Sequence, residues 1–232
     1  MSLTEQEIVR YSRHIILPEV GGRGQRKLKA ASVLLAGLGA AGSAAALYLA
    51  AAGIGQITLW DPLVVTPQDL ASGIAHDRSR IGLPRARSAA VPMRAINPDA
   101  QIDVLDRESD VLGAVAAHQL VLASAGDWEA LTNAAYKSGA ATVLYGAHGA
   151  SGAAAAFRQG QPCLRCLGAE RAQNAGLFPE AGGAPAIAAA AGVVGVVAAT
   201  EAVKLILGTG EPLFGRVLSY DGWRAAFREE SF

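Results

Sequence analysis

The residues with the clearest chemical use are three glycines within six positions, Gly37-Leu38-Gly39-Ala40-Ala41-Gly42. They lie between an apolar run that reads as a strand and an alanine-rich run that reads as a helix. In that setting Gly37 permits a tight turn, Gly39 lets phosphates approach the backbone, and Gly42 lets helix and strand pack closely. The helix N-terminus beyond presents unpaired N–H groups to an anion. Asp61 follows about twenty residues on, ending the next strand, where a carboxylate can hold ribose hydroxyls. The pattern reads as a nucleotide site, without separating a nicotinamide dinucleotide from ATP. The plainer alternative is a glycine turn that only packs, with Asp61 a solvated strand end.

Other reactive side chains are few. A dehydrogenase needs an acid–base group at a later strand end, yet His14, His76, His118 and His148 form no obvious dyad. His118 precedes a strand, at the wrong edge for catalysis. His148 follows one, and is the histidine best placed for chemistry, though a surface role suits it better. Cys163 and Cys166 have zinc-ligand spacing, but two thiolates do not close a tetrahedral site. The bland reading is a pair of reduced thiols, which favours a cytoplasmic compartment. Trp60, Trp128 and Trp223 read as packing residues, and Glu201 and Lys204 as a solvated helix edge.

These residues need elements to hold them. Residues 4–17 read as one amphipathic helix, and "EVGGRGQRKLKAA" as a glycine-rich turn with a short basic helix. Strands are expected at 33–36, 56–60, 101–106, 119–125 and 141–149. Helices are expected between them, at 41–52, up to Pro98, at 110–118 and from Trp128 to Gly139. Apolar strands alternating with helices imply a parallel sheet covered on both faces. Beyond Gly149 the pattern changes to a strand, a cysteine turn, a long apolar helix and two strands around Asp221-Gly222. The expected fold is α/β and Rossmann-like, a mostly parallel sheet with helices on both faces and a smaller antiparallel and helical C-terminal part. We read residues 1–232 as a single domain: a helical arm (1–30), a Rossmann-like half (31–149) and a C-terminal half (150–232).

Composition removes several function classes. Of 232 residues, 51% are hydrophobic and 17% charged, and the formal net charge is zero. No basic block favours nucleic acid or an anionic membrane. The N-terminus lacks the apolar core of a secretion signal. Ala181 to Thr200 carries no charge and is long enough to span a bilayer. Its glycines, proline and alanines instead suit a buried helix.

The stretch "RYSRHIILPEVGGRGQRKLKAASVLLAGLGAAGSAAALYLAAAGIGQITLWD" resembles the opening of the ThiF/MoeB/HesA family, bacterial relatives of ubiquitin-activating enzymes. "INPDAQIDVL", "QPCLRC", "GVVGVVAATEAVKLILG" and "GRVLSYDG" continue the resemblance in the family's order. It implies a homodimer that binds ATP with Mg2+ and adenylates the C-terminal glycine of a ubiquitin-like sulfur-carrier protein, releasing pyrophosphate. On that resemblance Gly37, Gly39 and Gly42 approach ATP and Asp61 binds ribose. Arg13 reaches phosphates across the dimer, Arg85 supplies a second cation, and Asp127 holds magnesium; Asn133 also falls on a family position.

Departures from the pattern matter as much. Where the family has "NLQRQ", this chain has Asp69-Leu70-Ala71-Ser72-Gly73, so an asparagine becomes Asp69 and an arginine Ser72. The lysine that follows becomes Arg85. Losing a phosphate arginine removes a charge-assisted contact of roughly 1.5–3 kcal/mol, and in a preorganised site about a hundred- to thousandfold in rate. By its position Asp69 counts among the nucleotide-binding residues, but it is expected to repel phosphate unless it binds a metal, with Arg78, Arg80 or Arg85 as compensation. The second CxxC that completes zinc in relatives is absent, so zinc is not expected. The family's acceptor cysteine is missing from "NAGLFPEAGGAP". Three readings stand: an adenylyltransferase, a catalytically impaired relative that binds nucleotide or serves as a scaffold, and a nicotinamide-dependent oxidoreductase.

Overall fold

The computed structural model describes residues 2–124, 127–168 and 185–232. Its centre is an eight-stranded sheet of order β3-β2-β1-β4-β5-β6-β7-β8. The strands are β1 (Ser32–Ala36), β2 (Gln56–Trp60), β3 (Gln101–Val104), β4 (Leu120–Ala123), β5 (Ala141–His148), β6 (Ser151–Phe157), β7 (Arg216–Asp221) and β8 (Ala226–Ser231). The first five pair parallel, and β6, β7 and β8 pair antiparallel. Val33, Leu34, Leu35 and Ala36 are all fully buried, as a strand covered on both faces requires. The strand order reverses about β1, whose neighbours are β2 and β4. Open α/β sheets bind ligands at such a switch point, beyond the carboxyl ends of the strands.

Helices α1 (Glu5–Arg10), α2 (Ser12–Ile15) and α3 (Gly21–Ala30) precede the sheet. The single helix expected over 4–17 is broken at Tyr11, whose backbone (φ −97°, ψ 13°) leaves the helical region. Burial explains the break: Tyr11 turns into the core, where Asn97 Nδ2 donates to its hydroxyl, while Ile8 stays exposed. The expected glycine-rich turn at Gly21–Gly24 is instead the start of α3.

Between the strands lie α4 (Ala40–Ala52), α5 (Arg85–Ile96), α6 (Glu108–Val115) and α7 (Trp128–Ser138); α8 (Leu164–Leu167) and α9 (Ala188–Leu207) follow β6. The cysteine turn is thus the short α8. Helix α9 is long and apolar enough to cross a membrane by composition alone. Here it lies against α4 so closely that a Cβ on Gly195 would stand 2.1 Å from the Ala41 carbonyl oxygen. Small residues allow the two backbones to touch, and that contact fixes the first turn of α4. Glu201 corrects the solvated-edge expectation. It is buried, accepts from the Leu213 N–H at 3.0 Å and pairs with Lys204. Trp60 and Trp128 pack against the core, whereas Trp223 is 80% exposed on the β7–β8 hairpin, contrary to the packing role expected for it.

Candidate functional site

The glycine turn joins β1 to α4. Gly37 has φ +103°, a conformation costly for any residue with a side chain. Gly39 is the N-cap of α4. A Cβ on Gly42 would stand 1.9 Å from the Gly37 carbonyl oxygen, so helix and turn meet only because the third glycine is bare. Leu38 between them is held on both sides. Its N–H donates to Asp61 Oδ2 at 2.6 Å; its carbonyl accepts from His76 Nε2 at 2.8 Å and from Ser43 Oγ at 3.2 Å.

Asp61 ends β2, and its other oxygen accepts from the Leu63 N–H at 2.9 Å. Burial pushes its carboxyl above the usual range, against the pull of both N–H groups and of Arg85 and His76. Arg85, the first residue of α5, lies beside the same turn. Its Nη1 lies 3.9 Å from Asp61 Oδ1 and 3.9 Å from the position of a Cβ on Gly39. Its Nη2 donates to Asp69 Oδ1 at 2.5 Å. Arg85 is 8% exposed, and its Nε is buried without a hydrogen-bond partner.

Asp69 lies in a 3-10 turn, Pro67–Ala71, within the irregular crossover from β2 to α5. Its Oδ2 accepts from the Thr66 N–H at 2.7 Å and the Thr66 hydroxyl at 2.9 Å. Burial works against its charge, but Thr66 and the Arg85 guanidinium outweigh it and hold the carboxyl below the usual range. Of the three arginines offered as compensation for Asp69, Arg85 is the one that pairs with it. Arg85 is also the cation that reaches the turn. Arg78 is exposed, and Arg80 is taken up by Asp77 and the Ala75 carbonyl. Ser72 follows Asp69 as the C-cap of the 3-10 turn, half-buried.

His148 is not the histidine that the fold brings to the turn; it is exposed at the end of β5. His76 is, and nothing local in the sequence marks it, because its partners Leu38 and Ser88 lie far away along the chain. His118 is buried at the opposite edge, bonded to Thr58 Oγ1 and the Ala114 carbonyl. Beyond β4, Ser124 Oγ lies 3.4 Å from the Gly37 carbonyl oxygen. Asp127 follows as the N-cap of α7; its Oδ1 accepts from the Ala130 N–H at 2.9 Å. Asn133 is exposed on α7.

Arg13 is not brought to the turn within one chain. It is exposed on α2, beside Tyr11, and Tyr11 joins the C-terminal end of α4 through Asn97. The glycine turn is at the other end of that helix, about 20 Å away at 1.5 Å per residue. Cys163 and Cys166 follow the far end of β6, their Sγ atoms 3.5 Å apart. Hydrogen bonds from Cys166 lower the Cys163 thiol below its ordinary range. Among the described residues no cluster of three or more His, Cys, Asp or Glu is placed to hold a metal. The "NAGLFPEAGGAP" stretch, where the acceptor cysteine was found missing, lies outside the described residues except for Pro185.

The site thus combines a glycine turn at a helix N-terminus, a strand-end carboxylate and a buried guanidinium. The sequence profile of the ThiF family matches residues 11–231. The chain belongs to the ThiF family. The SAMP-activating enzyme E1 of Haloferax volcanii is 34% identical over 233 residues, 98% of this chain and 86% of that protein. The molybdopterin-synthase adenylyltransferase of Salmonella typhimurium is 35% identical over 235 residues, 98% of this chain and 93% of its own length. Among solved structures, E. coli MccB with MccA-N7isoASN superposes with a TM-score of 0.80 at 16% identity, over 97% of this chain and 71% of that one. PaaA gives 0.79 at 18% identity, over 99% and 74%. At such identities these structures speak for the ThiF fold alone.

Proposed function

We propose that this ThiF-family chain is an ATP-dependent adenylyltransferase acting on the C-terminal glycine of a ubiquitin-like sulfur-carrier protein. A carrier carboxylate oxygen attacks the α-phosphorus, the bond to the bridging oxygen breaks, and pyrophosphate leaves an acyl-adenylate behind. The observation that carries this reading is the Arg85 guanidinium, buried beside Gly39 with its Nε unsatisfied. A fixed cation at the phosphate end of a nucleotide turn suits charge gathering on a triphosphate. The relatives named for adenylyl transfer support the same chemistry.

In this reading Gly37, Gly39 and Gly42 shape the turn that receives the phosphates, and Asp61 accepts the ribose hydroxyls while holding Leu38 in place. Arg85 contacts phosphate, and Asp69 anchors Arg85 rather than touching the nucleotide. Asp127 would hold the Mg2+ that accompanies ATP, an ion commonly bound by one or two carboxylates together with substrate phosphates. Arg13 acts in a homodimer, entering the site of a second copy. Two thiolates at Cys163 and Cys166 are a poor zinc site, and no step is assigned to them.

The test is carrier-dependent exchange of labelled pyrophosphate into ATP, with a ubiquitin-like carrier ending in glycine. Exchange that needs the carrier and is lost in Arg85→Ala is expected. A wild-type protein that binds ATP but never exchanges pyrophosphate with any such carrier would overturn the enzymatic reading.

A further inference from the structure

His76 is the buried polar group closest to the nucleotide turn that the chemistry above leaves without a task. We infer that His76 is a positioning residue: it turns the Leu38–Gly39 peptide so that the Gly39 N–H faces outward as a phosphate donor. This inference rests on the ATP-binding reading.

The Leu38 carbonyl oxygen can only accept, so the Nε2 facing it at 2.8 Å carries the hydrogen. In the neutral ring Nδ1 then accepts from the Ser88 hydroxyl at 2.9 Å. Burial lowers the tendency of the ring to protonate, which preserves this arrangement at neutral pH. The peptide is trans and planar, so its C=O and N–H point in opposite directions. With the oxygen turned inward to His76 and Ser43, the Gly39 N–H points away from them. Beside the Gly39 Cα the space is open: a Cβ there would meet only Arg85 Nη1, at 3.9 Å. The Arg85 guanidinium thus borders the open space beside the residue whose N–H is turned outward.

An anchor is needed because Gly39 tolerates many backbone conformations, and a free peptide beside it can rotate. The anchor is itself built in. Ser88 on α5 is fully buried, and a Cβ on Gly73 would stand 2.8 Å from His76 Cδ2, so a bare glycine makes room for the ring.

The experiment is calorimetric titration of wild type, His76→Leu, His76→Gln and Ser88→Ala with Mg·ATP and separately with adenosine, each variant checked by thermal unfolding. Because the peptide faces phosphate, His76→Leu should weaken ATP about tenfold, one hydrogen bond's worth, and leave adenosine unchanged. His76→Gln keeps an N–H donor and should recover most of the loss. Ser88→Ala, which frees the ring, should fall between, and serves with His76→Gln if the leucine variant does not fold. Equal loss of ATP and adenosine, or no loss of either, overturns the inference. A wild type that binds no ATP defeats the nucleotide reading itself, and this inference with it.

Discussion

Arg85 is held between two carboxylates, and removing it takes a cation from the phosphates while leaving both acids unpaired. Arg85→Ala should lower pyrophosphate exchange by about a hundredfold or more. Arg85→Lys keeps charge without the fork and should fall between. Asp69 gives a test of opposite sign. If its role is to fix Arg85, Asp69→Asn weakens ATP binding; if it merely repels phosphate, the same variant binds ATP more tightly. Titration of both proteins with Mg·ATP decides. The pair also predicts a pH dependence. The Asp69 carboxyl is depressed in the fold, so its stabilising contribution is complete above its ordinary value of 3.8 and fades as pH falls through the lower folded value. The gap in Tm between wild type and Asp69→Asn should therefore be constant near neutrality and close on strong acidification.

Helices and strands were the most legible part of the chain. Strand β2 lies at 56–60 as the apolar run implied, and α7 ends at Gly139, whose φ of +84° an ordinary residue resists. Repeating apolar runs carry their own boundary, because burial on both faces leaves no other pattern. The break at Tyr11 was not legible, since it depends on Asn97 across the molecule. The Asp69–Arg85 pair, across sixteen positions of irregular chain, was legible only as one of three candidates, and the burial of Glu201, which depends on the Leu213 N–H, was not legible. The glycine turn and the placement of Asp61 and Arg85 beside it were readable. His76 was not, because a histidine in a loop carries no local sign of its partners. Packing between elements has its own test. In Gly195→Ala the added Cβ meets the Ala41 backbone, which cannot swing aside, so the α9–α4 contact must open. Urea unfolding should show a loss of about 1–3 kcal/mol; an unchanged midpoint would mean that the helices are not so tightly apposed.

Across the molecule, the glycine turn lies at the switch point of the sheet and Arg13 is exposed near the far end of α4. The turn and Arg13 lie at opposite ends of α4, so the phosphate role proposed for Arg13 calls for a second copy. That geometry predicts complementation. Arg13→Ala and Arg85→Ala should each be inactive, yet a mixture of the two, allowed to exchange subunits, should recover about a quarter of wild-type exchange. Half of the random pairs are mixed, and each holds one intact site of two. A mixture as inactive as its components would place Arg13 outside the chemistry.

The most direct measurement is calorimetric titration of the wild-type protein with Mg·ATP, with NAD as comparator and Asp127→Ala as control. Binding of ATP in preference to NAD, weakened in the Asp127 variant, is the predicted result. Binding of NAD in preference to ATP, or of neither, would contradict the proposed activity and leave a ThiF fold whose nucleotide turn serves some other end.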